Sequence, residues 1–213
     1  MNAPVLANEK KRLKVLWQYE VLDTLPEAVF DDLTELAAQI CEAPTAMISL
    51  VDEDRQWFKS KVGTNLSETP RNISFCGHAI HHSGLFIVPD ATLDPRFKDN
   101  PLVLKEPKIR FYAGAPLLTP DGYALGTLCV LDKVPRLLKP DQQDALRILA
   151  RHVVSLLELR RHSRQLVDVK QENEGYKREL QTLRERLAKT KPAVNKTKPN
   201  AAATRKPGKP RSR

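Results

Sequence analysis

Arg110-Phe111-Tyr112-Ala113-Gly114-Ala115-Pro116-Leu117-Leu118, Thr119-Pro120-Asp121-Gly122 and Tyr123-Ala124-Leu125-Gly126-Thr127-Leu128-Cys129-Val130-Leu131 run consecutively, and together they decide the fold. Two apolar runs of strand length flank four residues that favour chain reversal. Pro120 presets φ, Asp121 can bond its own backbone, and Gly122 tolerates positive φ, so the segment predicts an antiparallel β-hairpin. Pro116 has no N–H for a ladder, which predicts a bulge or an edge beside it.

Working outward, Thr45 to Asp52 is apolar on both faces, as expected of a central strand covered on two sides. The acidic turn Glu53-Asp54 leads into a second strand over 55–62, and Leu85 to Val88 gives a third. Residues 63–72 read as a polar loop. Towards the N-terminus, Leu13, Leu16 and Trp17 form the apolar stripe of a helix over 8–19, read as a dimer or lid element. Thr24-Leu25-Pro26-Glu27 has the spacing of a capping box and opens a helix over 26–41, in which Phe30, Leu33, Leu36, Ala37 and Ile40 recur at helical spacing. The connection from Pro89 to Ile109, with a short helical piece at 101–104, is long enough to be read as functional.

From Pro140 onward the pattern is helical. Leu146, Leu149, Val153, Leu156 and Leu157 form a stripe that can pack on a sheet. Leu159, Leu166, Asn173, Leu180 and Leu187 then recur every seven residues, with His162, Val169, Tyr176 and Leu183 at the companion position. That seam predicts a parallel two-stranded coiled coil whose Asn fixes register, and hence a homodimer.

The chain has 213 residues and a net charge of +9, which residues 189–213 carry entirely. This segment holds nine Lys or Arg and no acid, whereas 26 basic and 26 acidic groups balance in residues 1–188. Its four prolines and lack of large apolar residues predict a disordered basic tail, of the kind that binds nucleic-acid phosphates without sequence choice. The N-terminus has no apolar core and no run reaches the length of a membrane span, so a cytoplasmic protein without membrane contact is expected. Three cysteines at 41, 76 and 129, with no Cys-x-x-Cys, point away from a disulfide framework and a structural zinc site.

Ser74-Phe75-Cys76-Gly77-His78-Ala79-Ile80-His81-His82 concentrates the chain's reactive side chains. Ser74 reads as the N-cap of about two helical turns, which puts Cys76 in the first turn, where the helix dipole favours a thiolate. Cys76 and His78 do not share a helix face, which argues against a metal site. Cys41 and Cys129 read as small buried apolar residues, leaving Cys76 without a resolving thiol.

The order of these elements, with Asp54-Arg55-Gln56-Trp57-Phe58-Lys59-Ser60, Ser74-Phe75-Cys76-Gly77-His78-Ala79-Ile80, Asp94-Pro95-Arg96-Phe97 and Leu125-Gly126-Thr127-Leu128-Cys129-Val130-Leu131-Asp132, resembles the GAF domain family over about residues 12–161. The match is to the bacterial branch that commonly precedes histidine kinases and diguanylate cyclases. The resemblance implies an α+β fold, a PAS-like antiparallel sheet with helices on one face and a ligand pocket on the other. Mapped onto this sequence, the pocket residues are Trp57, Phe75, Cys76, His78, Asp90, Phe111 and Tyr112, with Asp90 and Arg110 as an alternative internal charge pair. The signature of cyclic-nucleotide-binding members is missing, as is the Cys-His pair of bilin-binding members.

The expected organisation is a flexible segment at 1–11, a GAF domain at 12–161, a coiled-coil helix at 162–188 and the tail at 189–213. The expected function is a non-enzymatic sensory module with an unidentified small-molecule ligand or cofactor, signalling through the dimer to a protein partner, since no output domain follows in this chain. Alternatives are a nucleic-acid-associated regulator acting through the tail, and a Cys76-based redox sensor or methionine-sulfoxide-reductase-like protein.

Overall fold

The computed structural model describes residues 3–190, so the expected tail at 189–213 lies almost wholly outside the described residues, whereas the start expected to be flexible at 1–11 is described from Ala3, whose N–H donates to Asn72 O at 2.8 Å, and enters the first helix at Glu9. Among the described residues there are five α-helices: α1 (Glu9–Gln18), α2 (Ala28–Ile40), α3 (Phe75–Ala79), α4 (Pro101–Leu104) and α5 (Pro140–Thr190). The strands are β1 (Thr45–Val51), β2 (Arg55–Val62), β3 (Glu68–Pro70), β4 (Phe86–Val88), β5 (Phe111–Leu118) and β6 (Ala124–Asp132). They form one sheet in the order β3-β2-β1-β6-β5-β4, with every neighbouring pair antiparallel. The chain divides into one compact unit ending at Leu166 and a second starting at Val167.

The β5–β6 hairpin turns at 119–122, where Gly122 has φ +80° and its N–H donates to Thr119 O at 2.8 Å. Its register shifts between Pro116 and Leu118, where proline cannot complete the ladder. Alternation along the strands sorts side chains between two cores. Ile48, Leu50, Trp57, Phe111, Leu128 and Val130 join α1, α2 and the first turns of α5 in one core, whereas Met47, Phe58, Tyr112, Cys129 and Leu131 join α3 and the connection around Phe97 in the other.

Three local expectations are corrected. The loop at 63–72 contains β3, an edge strand too short and polar to show a period, followed by a 3-10 turn at Arg71–Ile73. Thr24 does not cap α2, because its hydroxyl donates to Val21 O and accepts from the Lys59 ammonium, and Glu27 occupies the N-cap position without a side-chain capping bond, its carboxylate accepting from Lys59 and Arg160 instead. Trp17 is half exposed and donates to Asp52 at 3.0 Å, so Leu13 and Leu16 alone bury the apolar stripe of α1.

α1 is pinned to the sheet by a buried charge triad that the apolar pattern did not reveal. Arg12 is fully buried, donates to Ala124 O at 3.2 Å and pairs with Glu9 at 2.5 Å. Arg71 reaches the same Glu9 oxygen at 2.7 Å and also donates to Asp52 O and Glu53 O. In α5 the predicted seam residues Leu159, Leu166, Asn173, Leu180 and Leu187 are exposed along the helix. No helix among the described residues is long and apolar enough to cross a membrane.

Burial opposes the charge on Glu9, but hydrogen bonds from Arg12 and Arg71 outweigh it and bring its pKa down to about 2. The folded value lies below the roughly 4.3 of an unfolded chain, so this stabilisation is complete above that pH and is lost as pH falls towards 2. Replacing Glu9 by Gln strands two guanidinium groups, and urea unfolding at pH 7 is expected to show a loss of about 3 kcal/mol. The variant's stability is also expected to fall less steeply than wild type between about pH 4 and 2.

Candidate functional site

Ser74 sets the site's geometry. Its backbone is extended, its Oγ accepts from Gly77 N at 3.0 Å, and its hydroxyl donates to Arg71 O at 2.7 Å. The helix that follows is one turn rather than two, since the His81 and His82 amides close ordinary turns onto His78 O and Ala79 O beyond it. This start presses Phe75 and Cys76 onto the sheet. Phe75 stacks on Phe97 with centroids 4.1 Å apart and on Tyr112 at 5.3 Å.

Cys76 Sγ accepts hydrogen bonds from Thr127 Oγ1 at 3.1 Å and Tyr112 OH at 3.4 Å, and Cys129 Sγ lies 3.8 Å away. Cys129 is also within 3.7 Å of Met47 O as a donor. The Tyr112 hydroxyl reaches the thiol because residue 114 has no side chain: a Cβ there would lie 2.2 Å from that oxygen. Burial raises the Cys76 pKa, but donors from Cys129, Thr127, Tyr112 and Ser49 outweigh it and hold the thiol below its ordinary value. Burial and the bond shared with Cys76 push Cys129 well above its own. Hydroxyl and thiol donors therefore favour the thiolate. The expectation that Cys76 has no second thiol nearby is corrected: the partner is Cys129, 53 residues away in sequence and in contact across the α3–β6 packing.

A cavity of about 320 Å³ opens beside this cluster. Its wall includes Met47, Gln56, Phe58, Phe75, Cys76, Tyr112 and Cys129, and it reaches the surface at the exposed Pro44, Leu66 and Lys133. Thr69 also lines it, and the Thr69 hydroxyl is buried without a hydrogen-bond partner.

Of the seven residues mapped from the family, the structure brings Phe75, Cys76 and Tyr112 to this cavity. Trp57 and Phe111 occupy alternate positions on their strands and pack in the opposite, helix-side core. His78 does not line the cavity; it meets the Phe97 ring edge-on at 4.7 Å, and burial followed by the Arg96 charge lowers its pKa to about 4. Asp90 accepts from the Thr92 amide and hydroxyl, while Arg110 donates to Val103 O and Ile109 O, so these two form no direct pair. No metal-holding group of His, Cys, Asp or Glu occurs among the described residues. The cavity residues missed in the sequence, chiefly Met47, Phe58, Thr69 and Cys129, follow from strand alternation once the register is known.

The GAF domain profile matches residues 25–157, and the chain belongs to this family of small-molecule-binding sensory modules, which can dimerise. A curated relative from Pseudomonas aeruginosa, named a cyclic di-GMP phosphodiesterase, is 47% identical over 133 residues; the match covers 62% of this chain and 23% of that protein. The chain thus spans about a quarter of the length of the curated relative it matches. That relative's name is an enzyme's, which overturns the expectation of a non-enzymatic chain, although the matched segment is the GAF domain. Two solved structures share the fold. The GAF domain of Thermosynechococcus elongatus PixJ, in its blue-light-absorbing form, has a TM-score of 0.54 at 15% identity, covering 78% of this chain and 96% of that one. The GAF domain of an Acinetobacter phosphoenolpyruvate-protein phosphotransferase gives 0.52 at 16%, covering 75% and 96%.

Replacing Tyr112 by Phe removes one donor to Cys76 and leaves the ring. Thiolate absorbance at 240 nm is expected to titrate at higher pH than in wild type, with a stability loss of about 1 kcal/mol. An unmoved thiolate titration would remove Tyr112 from the set of groups that activate Cys76.

Proposed function

We propose that the chain is the sensory part of a cytoplasmic signalling system linked to cyclic di-GMP turnover, with a small molecule in the α3-side cavity as its input. The observation that carries this is the Thr69 hydroxyl, buried and unpartnered on the wall of a mainly apolar cavity. A buried hydroxyl left unpaired costs about 1–3 kcal/mol, which a ligand supplying an acceptor recovers. The ligand class that fits has an apolar body lying against Phe58, Phe75 and Met47 and one polar group for Thr69 and Gln56, at the small end of ligand-pocket volumes. The relative named a cyclic di-GMP phosphodiesterase supports the link to that signalling chemistry.

The output passes through α5. Exposed Leu159, Leu166, Leu180 and Leu187, with Asn173 among them, support a parallel homodimer, and ligand shifts its helix arrangement only by the difference in its affinity for the two arrangements.

Two measurements check the two halves. In a thermal-shift screen of small amphiphilic molecules against the full chain, hits are expected to bind Thr69→Val about tenfold more weakly, the loss of one hydrogen bond of about 1.4 kcal/mol; equal binding removes Thr69 from the site. Sedimentation at micromolar concentration is expected to show a dimer that Leu166→Asp with Leu180→Asp converts to monomer. A monomeric wild type rejects the seam.

A further inference from the structure

We propose that Cys76 and Cys129 form a reversible intramolecular disulfide, making the cavity wall a site of oxidation by small hydroperoxides. The two sulfurs, from α3 and the central strand β6, are 3.8 Å apart, against the roughly 2.05 Å of a disulfide bond, so closure requires side-chain movement of about 2 Å. Neither sulfur is open to bulk solvent, yet both line the 320 Å³ cavity that reaches the surface, and this gives a small oxidant a path to them. Their environments divide the roles. Cys76 receives hydrogen bonds from Thr127 and Tyr112, which stabilise a thiolate and make it the attacking sulfur; Cys129 keeps its proton.

The chemistry balances in two steps. The Cys76 thiolate attacks the distal oxygen of a hydroperoxide, the O–O bond breaks, and an alcohol (or water, from hydrogen peroxide) leaves after taking up a proton, giving Cys76 sulfenic acid. The Cys129 sulfur then attacks the sulfenic sulfur, its thiol proton goes to the departing hydroxyl, and water leaves. Two thiols are oxidised by two electrons and one peroxide is reduced. The bond ties α3 to β6 and takes from Tyr112 and Thr127 the thiolate they stabilise, so the cavity's wall differs between the two redox states. Cys41 is the internal control. It is buried in the helix-side core, away from the cavity, and burial raises its pKa to about 11.

This goes beyond the ligand-binding proposal, and its test needs no ligand. The reduced full chain is treated in native buffer with hydrogen peroxide, acid-quenched, unfolded, alkylated and mapped by mass spectrometry without reduction. The expected result is a linked Cys76–Cys129 peptide pair 2 Da lighter than the separate thiol peptides, loss of two of the three alkylatable thiols, and full alkylation of Cys41. Cys129→Ser is expected to leave Cys76 as a sulfenic acid that dimedone traps. Cys76 and Cys129 both remaining alkylatable after excess peroxide would overturn the proposal, as would Cys76 linked to Cys41 or to a second chain. The wild-type mapping decides the matter even if the variant does not fold.

Discussion

The register of β1 against β6 is the constraint on which the rest of the structure depends. It sets Met47 opposite Cys129 and Ser49 opposite Thr127, and a slip of one residue would turn the two faces of one central strand over relative to the other. The β5–β6 register then sets Gly114 opposite Cys129, and the missing side chain lets the Tyr112 ring lean across to the Cys76 thiol. The thiol–hydroxyl cluster is thus a product of sheet geometry, with α3 supplying one member from outside.

The two faces are closed differently. Whole helices, α1, α2 and the start of α5, seal the first with aliphatic side chains. The second is covered by the five residues of α3, the four of α4 and the chain between them, and these leave space over Met47 and Cys129. The Glu9 triad joins the two sides. Arg71, held by a carboxylate on α1, opens the turn at 71–73 and its own carbonyl accepts from Ser74, which caps the helix that carries Cys76. A buried ion triad is a weak source of net stability, and here its geometric role is to fix where the cavity wall begins.

Most of the fold was legible because strong local signals agreed: the Pro-Asp-Gly turn, the doubly apolar β1, the Ser74 cap and the helical stripes. β3 was not, because three polar residues on an edge have no period to read. Thr24 lost its capping role to Lys59, a tertiary contact that the spacing of 24–27 cannot show. Phe75, Cys76 and Tyr112, named from the family resemblance, line the cavity, whereas Trp57 and Phe111 pack on the opposite face, because the resemblance gives residue type without parity. Cys129 escaped for a different reason. Sequence separation says nothing about contact across a sheet, yet counting alternate residues back from the turn puts Cys129 and Tyr112 on one face, and that signal was present in the sequence.

Native mass spectrometry of the freshly purified full chain tests the central claim, that the α3-side cavity is a binding site for a small molecule. The account predicts a discrete non-covalent mass that is retained by the wild type, released on unfolding, and lost when Met47→Trp fills the cavity in a protein that keeps the wild-type circular dichroism. An identical retained mass in the filled variant would place the ligand elsewhere and contradict it.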